Sequence, residues 1–298
     1  MGKEEPDSLP LKIPKEFDLQ GTKLSVLSQA IAYRGIRERK TKEPRPATNR
    51  DLDLIREAIL EHSRNNKTNE VIWKSLRKCT IRIRVQQFIY KAINNTLMIE
   101  AKWVNIQGYE ERGECKSCKV REDMSHILLT CKEPPIVIIW KLARQMWPHE
   151  EAHWPTLSLG ILLGCPCLEA NEASIRTRNN EEHTKVHQRG ASRLLQILTS
   201  EAMHLIWVLR CERVIQEKQH SGEEIEARWY KVINRRLTED KITATIIKHQ
   251  KNFTRLVEAT CYVTVGTFAR RGLSFNSKNT KESEWCFEVL STKSKKRT

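Results

Sequence analysis

The sequence predicts a mainly α-helical protein. Apolar residues recur with helical spacing along much of the chain, whereas alternation of apolar and polar residues is scarce. The apolar fraction of 39% is enough for a core, and the charged fraction of 30% requires a highly charged surface. The strongest helical signal is a broad apolar stripe within residues 191–217, made by Leu194, Leu195, Leu198, Ala202, Leu205, Ile206 and Leu209.

Residues 1–66 are predicted to form a linker and a helical lead-in. The first 16 residues are polar and proline-containing. A helix is predicted from Thr22 to Lys40, and Pro44 and Pro46 break the chain after it. A second helix, capped by Thr48 or Asn49, carries an apolar face of Leu52, Leu54, Ile55, Ala58 and Ile59.

Two further helices are predicted within residues 67–160. Residues 80–85 alternate like a strand, but the apolar residues from Val85 to Ile93 follow the helical period, which favours a helix over 82–94. A helix over 136–147 begins behind Pro134 and Pro135, because proline is tolerated in a first helical turn.

The remaining chain is divided by its composition. Residues 161–190 are predicted to be a loop, and residues 191–273 a C-terminal helical region in which helices 191–217 and 223–240 form a hairpin. Residues 274–298 are rich in Ser, Asn, Thr and Lys and are predicted to be a disordered basic tail. Its end, Lys295, Lys296 and Arg297, is either a nuclear address or a solubilising end.

One cluster of residues has metal-ligand spacing. Cys115, Cys118, His126 and Cys131 form the pattern Cys-x2-Cys-x7-His-x4-Cys. Zinc accepts mixed sulfur and nitrogen ligands, and a site with four protein ligands and no open position is structural. We therefore expect a structural zinc ion around which the helical domain is built. Cys165 and Cys167 lack further ligands nearby in the sequence, so a second metal site there is disfavoured.

The charge distribution indicates a polyanionic partner. The formal net charge is +15, and residues 71–99 contain no acid. Candidate phosphate contacts in and after this stretch are Lys74, Arg77, Lys78, Arg82, Arg84, Lys91, Lys116, Lys119 and Arg121. The alternative is that these cations only form a solvated face. Trp73 and Tyr90 could stack on bases, although we favour core positions for them and for Phe88.

Several functional classes lack support in the residues. The chain has no apolar run of membrane-spanning length and no signal-peptide pattern, so we expect a soluble intracellular protein. It contains no Gly-rich phosphate loop, no nucleophile elbow, no HExxH motif and no carboxylate cluster suited to two-metal chemistry.

Several segments resemble one protein family. They include residues 13–21, residues 32–39, Glu111-Arg112-Gly113, residues 126–129 (HILL) and residues 139–143 (IWKLA). Together with the Cys/His cluster, they resemble the reverse transcriptase zinc-binding region, which follows the ribonuclease H domain in fungal non-LTR (LINE-like) retrotransposon proteins. The resemblance covers about residues 13–240. It implies that the four ligands hold zinc and that the segment grips template RNA or target DNA.

The chain also departs from that family. It contains no Tyr-x-Asp-Asp polymerase motif, and the ribonuclease H acids would lie upstream of Met1, so we expect a non-catalytic remnant of an element protein. Three hypotheses stay open: a zinc-containing nucleic-acid binder, a protein-interaction module using helices 191–217 and 223–240, and part of a ribonuclease H enzyme with an upstream catalytic domain. A decayed fragment without a selected function is a fourth.

Overall fold

The computed structural model describes residues 27–39, 45–149, 153–170, 181–246 and 253–260. The proline-containing start, the resembling segment 13–21 and the basic tail with its Lys295–Arg297 end lie outside the described residues. The chain divides into two units, Met1–Arg45 and Pro46–Thr298. In the first unit, helix α1 spans Gln29–Arg39, and the Ser28 hydroxyl accepts a hydrogen bond from the Ile31 amide in its first turn.

The second unit is built from helices, as predicted, and its described residues contain no strand. In chain order, the helices before the Cys/His cluster are α2 Pro46–Ser63, α3 Asn69–Ser75, α4 Ile83–Ile93 and α5 Ala101–Val104. The helices after it are α6 Pro134–Gln145, α7 Leu159–Leu163, α8 Glu181–Gln216 and α9 Gly222–Ile246. A further helical segment covers 253–260.

Residues 161–190, which were predicted to be a loop, contain helical structure and were therefore assigned incorrectly. Helix α7 is followed by a 3-10 turn at Cys165–Cys167, and α8 begins at Glu181 rather than at residue 191. Every residue from 161 to 168 is buried. A run that is enclosed on all sides has no polar face, and so it shows no helical period in the sequence.

Helix α8 is the centre of the unit. It packs against α4, α6, α7 and α9, and its side chains from Arg193 to Met203 are all buried. The polar side chains in this stretch bond within the structure, as where Gln196 donates to the Leu168 carbonyl at 2.7 Å. A helix buried around its whole circumference must satisfy its polar groups internally, which these bonds do.

Helices α2 and α7 approach each other through a glycine. A Cβ atom on Gly160 would lie 2.3 Å from the Leu54 carbonyl oxygen and 2.7 Å from the Ala58 Cβ. Only a residue without a side chain permits this backbone-to-backbone contact. Helix α2 was predicted to belong to the lead-in of residues 1–66. Through this contact it joins the common hydrophobic core.

Helix α9 packs on the end of α6 through an apolar side chain and pairs with α8 through buried charges. Trp229 is fully buried, and its indole nitrogen donates to the Met146 sulfur at 3.2 Å. Asp240 accepts from Arg193 at 2.6 Å and from Arg236 at 2.8 Å, and all three side chains are less than 10% exposed. The Arg193–Asp240 ion pair therefore fixes the register of α9 against α8.

Candidate metal centre

A tight turn brings the first two cysteines together. The Cys115 amide donates to the Val120 carbonyl at 2.8 Å, and the Lys119 amide donates back to the Cys115 carbonyl at 2.8 Å. Lys119 adopts a left-handed conformation, with φ at 56°. These bonds reverse the chain within six residues, so that the Cys115 and Cys118 side chains point toward one centre.

A single wide helical turn carries the other two ligands. Over His126–Thr130 the hydrogen bonding is of the i to i+5 type, and the Cys131 amide donates to the His126 carbonyl at 2.9 Å. The Asp123 carboxylate caps the start of the turn by accepting from the His126 amide at 2.6 Å. Such π-type turns are uncommon and are frequent at functional sites.

The four residues converge as a group that could hold a metal ion. Their ligand atoms all lie within 4.8 Å of one another. The Cys131 sulfur lies 3.7 Å from that of Cys115 and 3.9 Å from that of Cys118, whereas a disulfide requires about 2.05 Å, so the thiols are unbonded. The set of ligands predicted from the spacing is thus assembled in space.

The His126 ring is arranged as a ligand would be. Its Nδ1 lies 3.3 Å from the Thr130 hydroxyl, and its Nε2 is buried without any hydrogen-bond partner. A buried unpaired ring nitrogen is costly unless something binds it. Metal-bound histidines usually engage their second ring nitrogen in just such a contact. The orphaned Nε2 therefore fits a metal.

The thiols of the centre sit in different environments. The Lys132 amide, 3.4 Å from the Cys118 sulfur, lowers the pKa of that thiol. Burial raises the pKa of Cys131 to about 12. Metals bind thiolates, so an ion entering the centre has to displace the proton of Cys131, and binding weakens in acid.

Two carboxylates that no sequence motif indicated, Glu122 and Glu133, connect the centre to α8. Glu122 is 1% exposed and accepts from Arg210 Nε at 2.7 Å and from Arg213 at 2.9 Å. Glu133 pairs with Arg213 at 2.6 Å. Burial lowers the pKa of Arg213, but Glu133, Glu122 and the thiols of Cys115 and Cys131 outweigh it and raise the pKa overall.

The predicted cations around the centre are exposed. Lys116 lies 3.9 Å from Glu111, and both side chains are 70% exposed. Lys119 and Arg121 are exposed on the same turn. An ion pair this open contributes little to stability, so these side chains are able to contact a partner.

The cations of the acid-free stretch fall into two groups. Lys74 pairs with Glu70 at 2.7 Å on the surface, and Lys78 donates to the Pro166 carbonyl at 3.3 Å. Arg82 pairs with the buried Glu201, which occupies two of its five N–H donors. By contrast, no hydrogen bond or ion pair to another described residue is found for three exposed side chains, Arg77, Arg84 and Lys91.

The aromatic residues of this stretch differ in burial. Phe88 is 4% exposed and packs on Trp207, as expected for a core residue. The core position expected for Tyr90 is wrong, because its side chain is 56% exposed. Trp73 is half-buried and packs against Tyr90 with ring centroids 5.7 Å apart. The exposed side of this ring pair could not be predicted from the sequence, because the helical period does not reveal which face of a helix is covered by other parts of the chain.

Comparison with known proteins adds no relative: no family model, no curated protein and no solved structure matches this chain. Among the described residues, no helix is both long and apolar enough to cross a membrane. Cys165 and Cys167 are buried, and within the described part of the chain they belong to no group of metal ligands.

Proposed function

We propose that this protein binds nucleic acid without catalysing a reaction, and that its Cys115, Cys118, His126 and Cys131 hold a structural zinc ion. The assembled Cys3His set is the observation that carries the proposal. A zinc–sulfur bond of about 2.3 Å implies sulfur–sulfur edges of about 3.8 Å in a tetrahedron. The separations of 3.7 Å and 3.9 Å agree with that edge.

The donor set and its enclosure favour zinc in a structural role. Three thiolates and one imidazole suit tetrahedral zinc better than the octahedral oxygen sites of magnesium or calcium. Four protein ligands leave no position for a water or a substrate. Zinc here would tie the mostly exposed turn at Cys115 and Cys118 to the buried residues His126 and Cys131.

The outer face of α4 supports nucleic acid as the partner. Arg84, Gln87 and Lys91 are exposed at positions i, i+3 and i+7, which share one side of a helix. Tyr90 follows Gln87 by three residues on the same helix, and its exposed ring offers a surface for a base. Because no acid occurs between residues 71 and 99, nothing in this stretch repels phosphate.

The resemblance to the reverse transcriptase zinc-binding region of non-LTR retrotransposon proteins supports the same choice of partner. We propose that the chain is a remnant of such a protein. The competing interaction module drew on the apolar stripe of residues 191–217, but that stripe is buried in the chain's own core. No specific observation therefore favours the competing function.

Two measurements on the full-length protein test the proposal. Metal analysis should find about one zinc per chain, none in Cys118→Ser, and an unchanged content in Cys79→Ser, whose cysteine is exposed and outside the centre. Binding to labelled single- and double-stranded oligonucleotides is then titrated with salt. A wild-type protein without zinc would remove the metal part of the proposal.

The binding face is tested by removing its unpaired cations. The triple variant Arg77→Ala, Arg84→Ala and Lys91→Ala should bind more weakly. The slope of log affinity against log salt should fall in magnitude by about 2 for single strands, at about 0.7 for each phosphate contact. The control replaces three exposed cations elsewhere, Lys141, Lys185 and Arg255, with the same change in net charge. Equal losses in both variants would show that only overall charge matters.

A further inference from the structure

A cleft between α4, α8 and α9 has a volume of about 240 Å³. Its apolar lining is formed by Leu205, Val208 and Val232, and its charged lining comes from three different helices or their ends. The charged and titratable side chains are Arg82, Arg84, Glu201, His204, Arg228 and Lys231. Four of these are cations and one is a carboxylate.

Ion pairs within the protein neutralise half of the cations. Arg82 pairs with Glu201, and Arg228 pairs with Glu212 through two hydrogen bonds of 2.6 and 2.7 Å. Arg84 on α4 and Lys231 on α9 are exposed, and neither has an ion pair with another described residue. Once these two ion pairs are counted, the cleft keeps a net charge of about +2, which comes from Arg84 and Lys231.

This arrangement suits an anion rather than a cation or a neutral ligand. Clefts lined by one sign of charge and low-dielectric walls concentrate the field and attract counter-ions. The pairing with Glu201 leaves three N–H donors of Arg82 unused by that carboxylate. His204 borders the same space, and burial together with Arg82 and Arg84 lowers its pKa to about 4, so at neutral pH it presents an uncharged ring.

We propose that this cleft receives a backbone phosphate of a bound nucleic-acid strand, held by Arg84 from α4 and Lys231 from α9. The proposal rests on the proposed function and names the site at which it operates. Arg84 is exposed on α4 and also lines the cleft, so a nucleic-acid strand bound at Arg84 lies next to the cleft. Lys231 lies far from the acid-free stretch in the sequence, and only the fold places it in the same cleft as Arg84.

The test uses the full-length protein and a fluorescein-labelled oligothymidylate in about 0.1 M salt. Lys231→Ala should lower affinity about fivefold and reduce the salt slope by about 0.7, as expected for one lost phosphate contact. Arg84→Ala should do the same, and Lys141→Ala, which removes an exposed cation from α6, should leave both values near wild type. Lys231→Glu should weaken binding further.

Two more probes separate the sources of the anion. An oligomer of the same length with a neutral methylphosphonate backbone should bind weakly and equally to wild type and Lys231→Ala. Inorganic phosphate alone should compete only at high concentration. If wild type binds oligothymidylate and Lys231→Ala binds it as well as Lys141→Ala does, the cleft proposal fails while the proposed function stands. If wild type binds no oligonucleotide, the proposed function fails with it.

Discussion

The turn that carries the first two metal ligands and the central helix are stabilised in opposite ways. Residues 113–121 bury a single apolar side chain, that of Cys115, and their backbone is a short turn closed by one antiparallel bridge between Glu114 and Arg121. Residues 194–206 of α8 are buried almost completely, with apolar contacts on every side. A segment without a core depends on ligands and ion pairs, whereas a buried helix depends on packing that no single contact dominates.

The largest expected effect comes from removing the metal. Cys118→Ser, or stripping with a chelator, should loosen residues 113–121, because this turn has almost no apolar packing and structural zinc contributes about 10–16 kcal/mol in zinc-finger peptides. Hydrogen exchange by mass spectrometry should show this segment exchanging fast while α8 stays protected. In the control variant Cys79→Ser, both regions should keep their wild-type protection from hydrogen exchange. Equal loss of protection in α8 would mean that the two regions form one cooperative unit.

Glu122 links the two regions through Arg210 and Arg213, so its removal should have the next largest effect. Glu122→Ala leaves Arg210, 4% exposed, and Arg213 without their shared carboxylate. Breaking a buried pair of this kind costs about 3–5 kcal/mol. Urea unfolding measures the loss, and Glu111→Ala, at an exposed ion pair, should change stability by less than about 1 kcal/mol. A small effect of Glu122→Ala would show that packing alone joins the regions.

A smaller effect is expected in the helical core itself. Gly160→Ala places a methyl group against the Leu54 carbonyl and should cost about 1–3 kcal/mol, because α2 and α7 must separate. Gly222→Ala is the control, since its added Cβ would meet nothing closer than 3.6 Å. Thermal unfolding compares the two. Zinc content should remain at the wild-type level in both variants, and a loss of zinc in Gly160→Ala would contradict the separation of the two regions.

The effect that is smallest at neutral pH is a pH dependence carried by His204. Its folded pKa of about 4 lies below the ordinary 6.5, so the folded state binds fewer protons than the unfolded state. Its contribution is fully present above pH 6.5 and is lost as pH falls toward 4, at about 1.4 kcal/mol per pH unit. The difference in unfolding free energy between wild type and His204→Gln, followed from pH 7 to 5, isolates this effect. A flat difference would contradict it.

Some of the candidate site could be predicted because its determinants are local. The ligands from Cys115 to Cys131 lie within one short segment, and their spacing is dictated by the turn and by the wide helical turn that present them. The ends of helices α4 and α6 were predicted to within two residues. Each helix has one buried face, and the helical spacing of its apolar residues reveals that face in the sequence. Helix α7 has no exposed face, and the start of α8 has few apolar residues, so neither could be predicted.

The sequence by itself determined the helical class, the Cys/His group that could hold a metal ion and the excess of positive charge, since each follows from composition or from neighbours a few residues apart. Only the tertiary structure decided which cations are available to a partner. Arg82 pairs with Glu201 across 119 residues, and Arg84 and Lys231 line one cleft. The physical reason is that charge pairing depends on distances in space. The packing of the helices around α8 sets those distances, and the local sequence pattern does not show them.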